Sequence, residues 1–306
     1  MATRVRGQAG APRDDRAGIV APRHLRAAAA AALRFARREP LLTGTSAVLL
    51  GLVVVALLGE AIAAHSATEQ VLDDRLQGLS WSHPFGTDHL GRDLFARTIV
   101  GARTSVIVGL SVMGLGTALA LLLGLASGSV GGWCDLLVQR LVDAVMAVPA
   151  LLFLIALVSV VGAGMVEIVA GISFVVMINS SRTVRGAVIA ARAQPYVDAA
   201  QALGASRWRV ALRHVLPNIV SPVLIVASLN VGYAILMEAS LSFLGFGVPP
   251  PTPTWGGLIA RETRLYMFNA PWLAVFPGLA LTTTVLAVNL FGDALRDRLD
   301  PRTRRA

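Results

Sequence analysis

Residues 104–134 read TSVIVGLSVMGLGTALALLLGLASGSVGGWC and contain no charged side chain. A helix that crosses the roughly 30 Å hydrocarbon layer of a bilayer needs about 20 apolar residues, and this stretch is long enough by itself. Reading outward, three more charge-free runs follow at 144–166, 215–237 and 265–292. Two shorter ones, Leu41 to Leu58 and Ile168 to Ser181, complete the set. One such run could arise by chance clustering. Several at regular intervals predict a polytopic membrane protein, an all-α bundle with six spans near 42–62, 104–128, 138–161, 166–184, 219–241 and 272–292. The composition agrees, because 55% of the residues are hydrophobic, above the 45–50% usual for soluble domains.

All 27 basic residues are arginine, and there is no lysine. A phosphate-binding P-loop needs a lysine on the β/γ-phosphates, so this chain is expected to bind no ATP or magnesium itself. If ATP drives it, a separate polypeptide holds the nucleotide. The single cysteine, Cys134, excludes an intrachain disulfide and a cysteine metal cluster. The net charge of +9 invites a nucleic-acid reading, but the arginines are placed by topology. Nine lie in residues 1–40, six in 182–213 and five in 293–306, against four in 63–103 and two in 245–271. Arginine-rich loops face the cytoplasm. Both termini and the 182–213 loop are therefore expected on the cytoplasmic side of the plasma membrane, with no nucleic acid as partner. Three regions follow: a basic cytoplasmic arm over 1–40, suited to anionic lipid heads, a membrane domain over 41–292 with a cytoplasmic loop at 185–218, and a tail at 293–306. The first apolar run starts too far into the chain, and is too long, for a secretory signal peptide.

The loop at 194–218 reads QPYVDAAQALGASRWRVALRHVLPN. Pro195 suits the first position of a helix, and Asp198 in that first turn complements the helix dipole. Tyr196, Ala199, Ala200 and Leu203 share one helical face. Gly204 is a natural left-handed cap, Ala205 follows it, and Ser206 can cap a second helix. Trp208, Ala211, Leu212 and Val215 form that helix's apolar face, and Pro217 is expected to stop it before the next span. Two short amphipathic helices thus meet at a glycine elbow. Composition leaves two uses open: a helix laid in a partner's groove or one lying on the bilayer.

The spacing of this loop resembles the EAA motif of ABC importer permeases, E-A-A, three residues, G, nine residues, I-x-L-P. Here it runs Asp198-Ala199-Ala200, three residues, Gly204, nine residues, His214-Val215-Leu216-Pro217. Asp stands for Glu and His for Ile. Three further segments, HPFGTDHLGRDLFAR at 83–97, EASLSFLGFGVPPPTPTWG at 238–256 and NLFGDALRDRLDPR at 289–302, are similar to the C-type subunit of the dipeptide, oligopeptide and nickel importers. The resemblance covers about residues 30–302. It implies a type I ABC importer permease fold and ATP-driven import, with dipeptides or oligopeptides as solutes. A second permease subunit would complete the pore, two ABC ATPase subunits would bind ATP and magnesium, and an extracytoplasmic solute-binding protein would deliver the solute. It also implies that Tyr196, Asp198, Ala199, Ala200, Leu203, Gly204, Ala205 and Trp208 form the helix that couples to an ATPase, and that no residue is catalytic.

Asp88 is expected to cap a helix in which Leu90, Leu94 and Phe95 face the membrane, a seal on the outer end or a docking surface for the binding protein. His65, His83 and His89 lack the helical spacing of a metal pair. Glu60, Glu167 and Glu238 fall near outer span ends, where water can reach them, and Glu238 is the best candidate for a pathway residue. Pro149 is expected to kink the third span, as a gate or for packing. The rival class is a self-sufficient channel or ion-coupled transporter, which would favour paired internal acids in broken spans. A membrane enzyme is disfavoured by the absence of HExxH and GxSxG.

Overall fold

The computed structural model describes residue 34 and residues 36–299. The chain divides into two compact units, Met1–Pro40 and Leu41–Ala306, and the helices below lie in the second apart from Pro40. Most of the basic arm expected over 1–40, and the end of the tail, fall outside the described residues.

Among the described residues, five helices are long and apolar enough to cross a membrane: α1 (Pro40–Ile62), α2 (Leu94–Val130), α5 (Met165–Arg192), the run ending in α8 (Leu216–Phe243), and α11 (Trp272–Leu299). A sixth crossing is available only if α3 (Gly132–Met146) and α4 (Ala150–Val161), bent by 83° at their junction, act as one broken span. The third expected span is therefore not a kinked helix but two helices. Pro149 is the cause. Its fixed φ sits at −56° with ψ at 127°, outside the helical region, and it supplies no N–H to the turn before it. With 12 residues, α4 reaches only about 18 Å and does not cross on its own.

The centre of the bundle is the pair α2 and α5. Ala120 and the glycines at 116, 124 and 128 recur every fourth residue on α2 and are all buried. A methyl group added at Gly124 would stand 2.8 Å from the Ser181 carbonyl oxygen, and one at Gly128 would stand 2.8 Å from Val188 Cγ1. In a membrane, where lipid is as apolar as leucine, such small-residue ladders let backbones approach and supply the packing that holds helices together. Val108, Val112, Leu154, Ile168, Ile172 and Val176 continue this core away from the arginine-rich end. α1, by contrast, buries only Leu42, Thr45, Ala56 and Gly59.

Two boundaries differ from expectation. α2 starts at Leu94, ahead of the uncharged run, because Arg97 and Arg103 are carried within the helix. Its cap is Asp93, which accepts from Ala96 N–H at 2.8 Å, not Asp88. Asp88 instead turns the preceding loop by accepting from Leu90 N–H at 2.8 Å and Arg92 Nε at 2.6 Å. Leu94 is buried against Ala270 and Leu273, so it does not face the membrane.

Candidate coupling surface

The arginine-rich loop after α5 is built as an elbow. α6 (Pro195–Ala202) opens with Pro195 in its first turn and closes on Gly204, whose φ of +82° is the left-handed conformation that favours glycine. The closure is a Schellman motif: Ala205 N–H donates to the Ala200 carbonyl at 3.0 Å and Gly204 N–H to the Gln201 carbonyl at 2.9 Å. Ala205 packs with Ala200 in the same cluster, the apolar contact that accompanies this cap. α7 (Arg207–Val210) then starts under Ser206, whose hydroxyl accepts from Arg209 N–H at 3.3 Å.

Pro217 does not stop the second helix. A π turn over Ala211–Val215 joins α7 to α8, so that Arg207–Phe243 is one helical run. A widened turn shifts the hydrogen-bond register, and Leu216 N–H bonds back to the Ala211 carbonyl just before the proline that cannot donate. Pro217 thus sits in the opening turn of α8, where its missing N–H is tolerated. The second half of the elbow is consequently continuous in helical structure with a membrane span.

The elbow buries one side and exposes the other. Val197, Ala200, Val210, Ala211 and Val215 join Leu125, Val184, Val188 and Ile219 in one core. Ala200 is thus an internal contact. Tyr196, Asp198, Ala199, Leu203 and Gly204 are exposed, and Ala205 is half-buried. Leu203 is 89% exposed and Trp208 60%. The face expected on the second helix is split: Ala211 and Val215 are core, while Trp208 and Leu212 are exposed. Val197, which the helical reading passed over, is the deeper anchor, and an apolar residue three before Ala200 was the available signal.

Polar contacts fasten this elbow to the bundle. The Tyr196 hydroxyl donates to the Ala191 carbonyl at 3.3 Å. Arg192 Nη1 donates to the Gly128 and Ser129 carbonyls at 2.8 and 2.7 Å, closing the end of α2 with a cation where the helix dipole favours one. Two turns earlier on α5, Arg185 grips Asp135 of α3 with two bonds of 2.7 and 2.5 Å, and Ser127 donates to the same carboxylate. Arg182 pairs with Asp143, also of α3. α3 is therefore tied by two carboxylates to the helix that carries the elbow.

The two residues singled out as pathway or gate lie elsewhere. Glu238 is fully buried within the chain, so it does not meet water at a span end. Its Oε1 accepts from the Ser242 hydroxyl at 2.6 Å, and the Thr254 hydroxyl donates to Ser242 at 3.2 Å. Thr254 caps α9 (Trp255–Leu258), and Trp255 Nε1 donates to the Thr98 carbonyl at 2.9 Å. That set of contacts locks α8 to α9 and α2. Pro149 is exposed at the α3–α4 break, beside a groove of about 130 Å³.

Comparison with known proteins matches residues 120–305 to the family described as binding-protein-dependent transport system inner membrane component. Over 270 residues, 88% of each chain, the protein is 41% identical to the glutathione transport system permease protein GsiD of Escherichia coli, and equally to that of Shigella boydii. It is 38% identical to the protein of that name from Pectobacterium atrosepticum, covering 88% of this chain and 89% of that one. The matched stretch contains the elbow, the bent pair and every span from α5 onward. The chain belongs to this family: it is a multi-pass permease subunit of an ABC importer, a membrane pore component and not by itself an enzyme.

Proposed function

We propose that this chain forms one half of the pore of an importer for small peptides, with glutathione, itself a tripeptide, as the first solute to test. The relatives' names supply glutathione, and the resemblance to dipeptide and oligopeptide permeases supplies the wider class. In this reading a second permease subunit completes the pore. Two ATPase subunits carry ATP and magnesium below it, and a solute-binding protein delivers from above. Both termini and the elbow lie in the cytoplasm, as the arginine distribution argues.

The observation that carries the reading is the exposed half of the elbow. Leu203 and Trp208 project from a segment whose other half is core, on an end of the bundle rich in arginine. The face is small and apolar around Ala199 and Gly204, which suits close approach by a partner backbone. ATP-driven closure of the ATPases would push this face, and the continuous α7–α8 run would carry the push into a span. The test is co-expression with both ATPases, the second permease and the binding protein. Uptake of labelled glutathione into vesicles should require ATP and be inhibited by unlabelled small peptides but not by nickel. ATP-independent uptake by this chain alone would instead support the ion-coupled class.

A further inference from the structure

We propose that Asn179 stands on the wall of the translocation path and offers its amide to the peptide groups of the passing solute. The inference rests on the small-peptide reading above for the identity of that solute, but not for the position of the residue.

Asn179 lies 14 residues after Met165 and 13 before Arg192 in α5. At about 1.5 Å per residue it is roughly 20 Å from either end of the helix. Any placement in which α5 spans a layer of about 30 Å puts Asn179 inside the hydrocarbon. Its neighbours in space obey the rule for that depth. Ser180, one residue on, is buried and accepts from Asn230 Nδ2 of α8 at 3.1 Å, and Thr117 of α2 lies within 3.5 Å of the same amide. Asn179 breaks the rule. It is exposed on the surface of this chain, and its amide makes no hydrogen bond to any described residue. Bare polar groups are not tolerated against lipid at this depth unless they face protein or a water-filled cavity.

The surroundings favour the cavity. Asn179 lines the groove of about 130 Å³ beside the Pro149 break, together with Met146, Phe153, Val175 and Ile178. Phe153 and Phe174 stack across α4 and α5 at 5.4 Å. One turn toward the arginine-rich end, the Arg182–Asp143 pair is itself nearly half exposed, at 46% and 43% of its side chains. A wall with an uncommitted amide, then an open ion pair, beside an apolar recess, is hydrated on this side and not lipid-facing. A carboxamide donates through its nitrogen and accepts through its oxygen, so it can pair with a peptide unit of any sequence while the recess takes a side chain of modest size.

The test uses the assembled importer in inside-out vesicles, with Cys134→Ser removing the only native thiol. Asn179→Cys should react with a membrane-impermeant methanethiosulfonate, while Leu57→Cys, exposed on α1, should not. In the native background, Asn179→Leu should leave the assembled complex at wild-type abundance yet raise the KM for glutathione uptake at least fivefold, and Asn179→Gln should recover part of the loss. An unreactive Asn179→Cys would overturn the proposal, because the side chain would then face lipid or protein. So would Asn179→Leu losing the second permease on purification, since the amide would then serve the subunit contact. A reactive Asn179→Cys in a wild-type complex that takes up other small peptides but not glutathione would keep the wall position and remove only the glutathione assignment.

Discussion

Two breaks in helical structure, at Gly204 and at Pro149, look alike in sequence and behave differently in the fold. At Gly204 the chain turns within four residues, and the turn is closed by backbone bonds and by its own core of Val197, Ala200, Val210 and Ala211. At Pro149 the chain bends by 83°, with no side-chain cap and with α3 largely exposed, only Val142 being buried. α3 is kept in place by carboxylates, Asp135 on Arg185 and Asp143 on Arg182. The first break is a stiff lever; the second is a joint held by ion pairs. Both are anchored on α5. In the proposed coupling, a push on the lever would reach the joint through one helix, and the small-residue contact of α5 with α2 would be the bearing on which it moves.

The largest effect should come from damaging that bearing. Gly124→Val adds atoms 2.8 Å from a backbone carbonyl, which cannot swing aside as a side-chain end can. Overpacking of this sort costs roughly 1–3 kcal/mol and often more. Immunoblots of membranes should show the protein reduced to a small fraction of wild type. Normal abundance would mean that the bundle is held elsewhere.

Next is the lever itself. Gly204 has open space around its α-carbon, so Gly204→Val meets no wall and is penalised only by its positive φ. That penalty is about 1–2 kcal/mol for a non-glycine residue, small for a bundle of this many spans but enough to re-aim a short helix. Membrane abundance should hold while ATPase co-purification weakens and uptake is lost. Gly204→Asn, which tolerates the left-handed region, should keep most uptake. Equal loss in both variants would mean that side-chain volume at a partner surface, and not backbone geometry, is what matters.

The joint should respond less. Arg185→Ala strands Asp135, whose side chain is 14% exposed. The cost should fall between that of exposed pairs, about 0–1 kcal/mol, and that of buried ones, about 3–5 kcal/mol, hence roughly 2 kcal/mol. A lowered thermal midpoint of the purified subunit with a several-fold drop in uptake is expected. Arg182→Ala removes a half-exposed pair, and its midpoint should move least, within the effect of about 1 kcal/mol seen for exposed pairs. If the two arginines ranked the other way, the joint would be held at Asp143 and not at Asp135.

Hydropathy made the spans legible because lipid rejects charge over the whole width of the membrane. It reported where charge is tolerated, not where helical hydrogen bonding ends. α2 runs past its uncharged segment at the Arg97 and Arg103 end, and α5 carries Arg182, Arg185 and Arg192 beyond its own. The elbow was legible because proline, glycine and serine each act on the backbone locally. Pro217 misled for the same reason: read as a breaker, it is accommodated by a π turn that no local rule announces. The 83° bend at Pro149 was legible as a perturbation but not in size, which depends on the ion pairs that α3 makes with a helix some 50 positions away. Glu238 is buried at the end of α8, where Ser242, one turn on, accepts from Thr254, a link that only the folded chain brings about.

The central claim is that the exposed face of the elbow meets an ATPase subunit. Leu203, 89% exposed, is the place to ask. Leu203→Cys in the Cys134→Ser background, carrying a short photoreactive thiol adduct, should cross-link to a co-expressed ATPase subunit in the assembled importer, with a yield that changes when ATP is added. Cross-linking to lipid alone, with none to either ATPase, would contradict the account and leave the elbow as a helix lying on the bilayer.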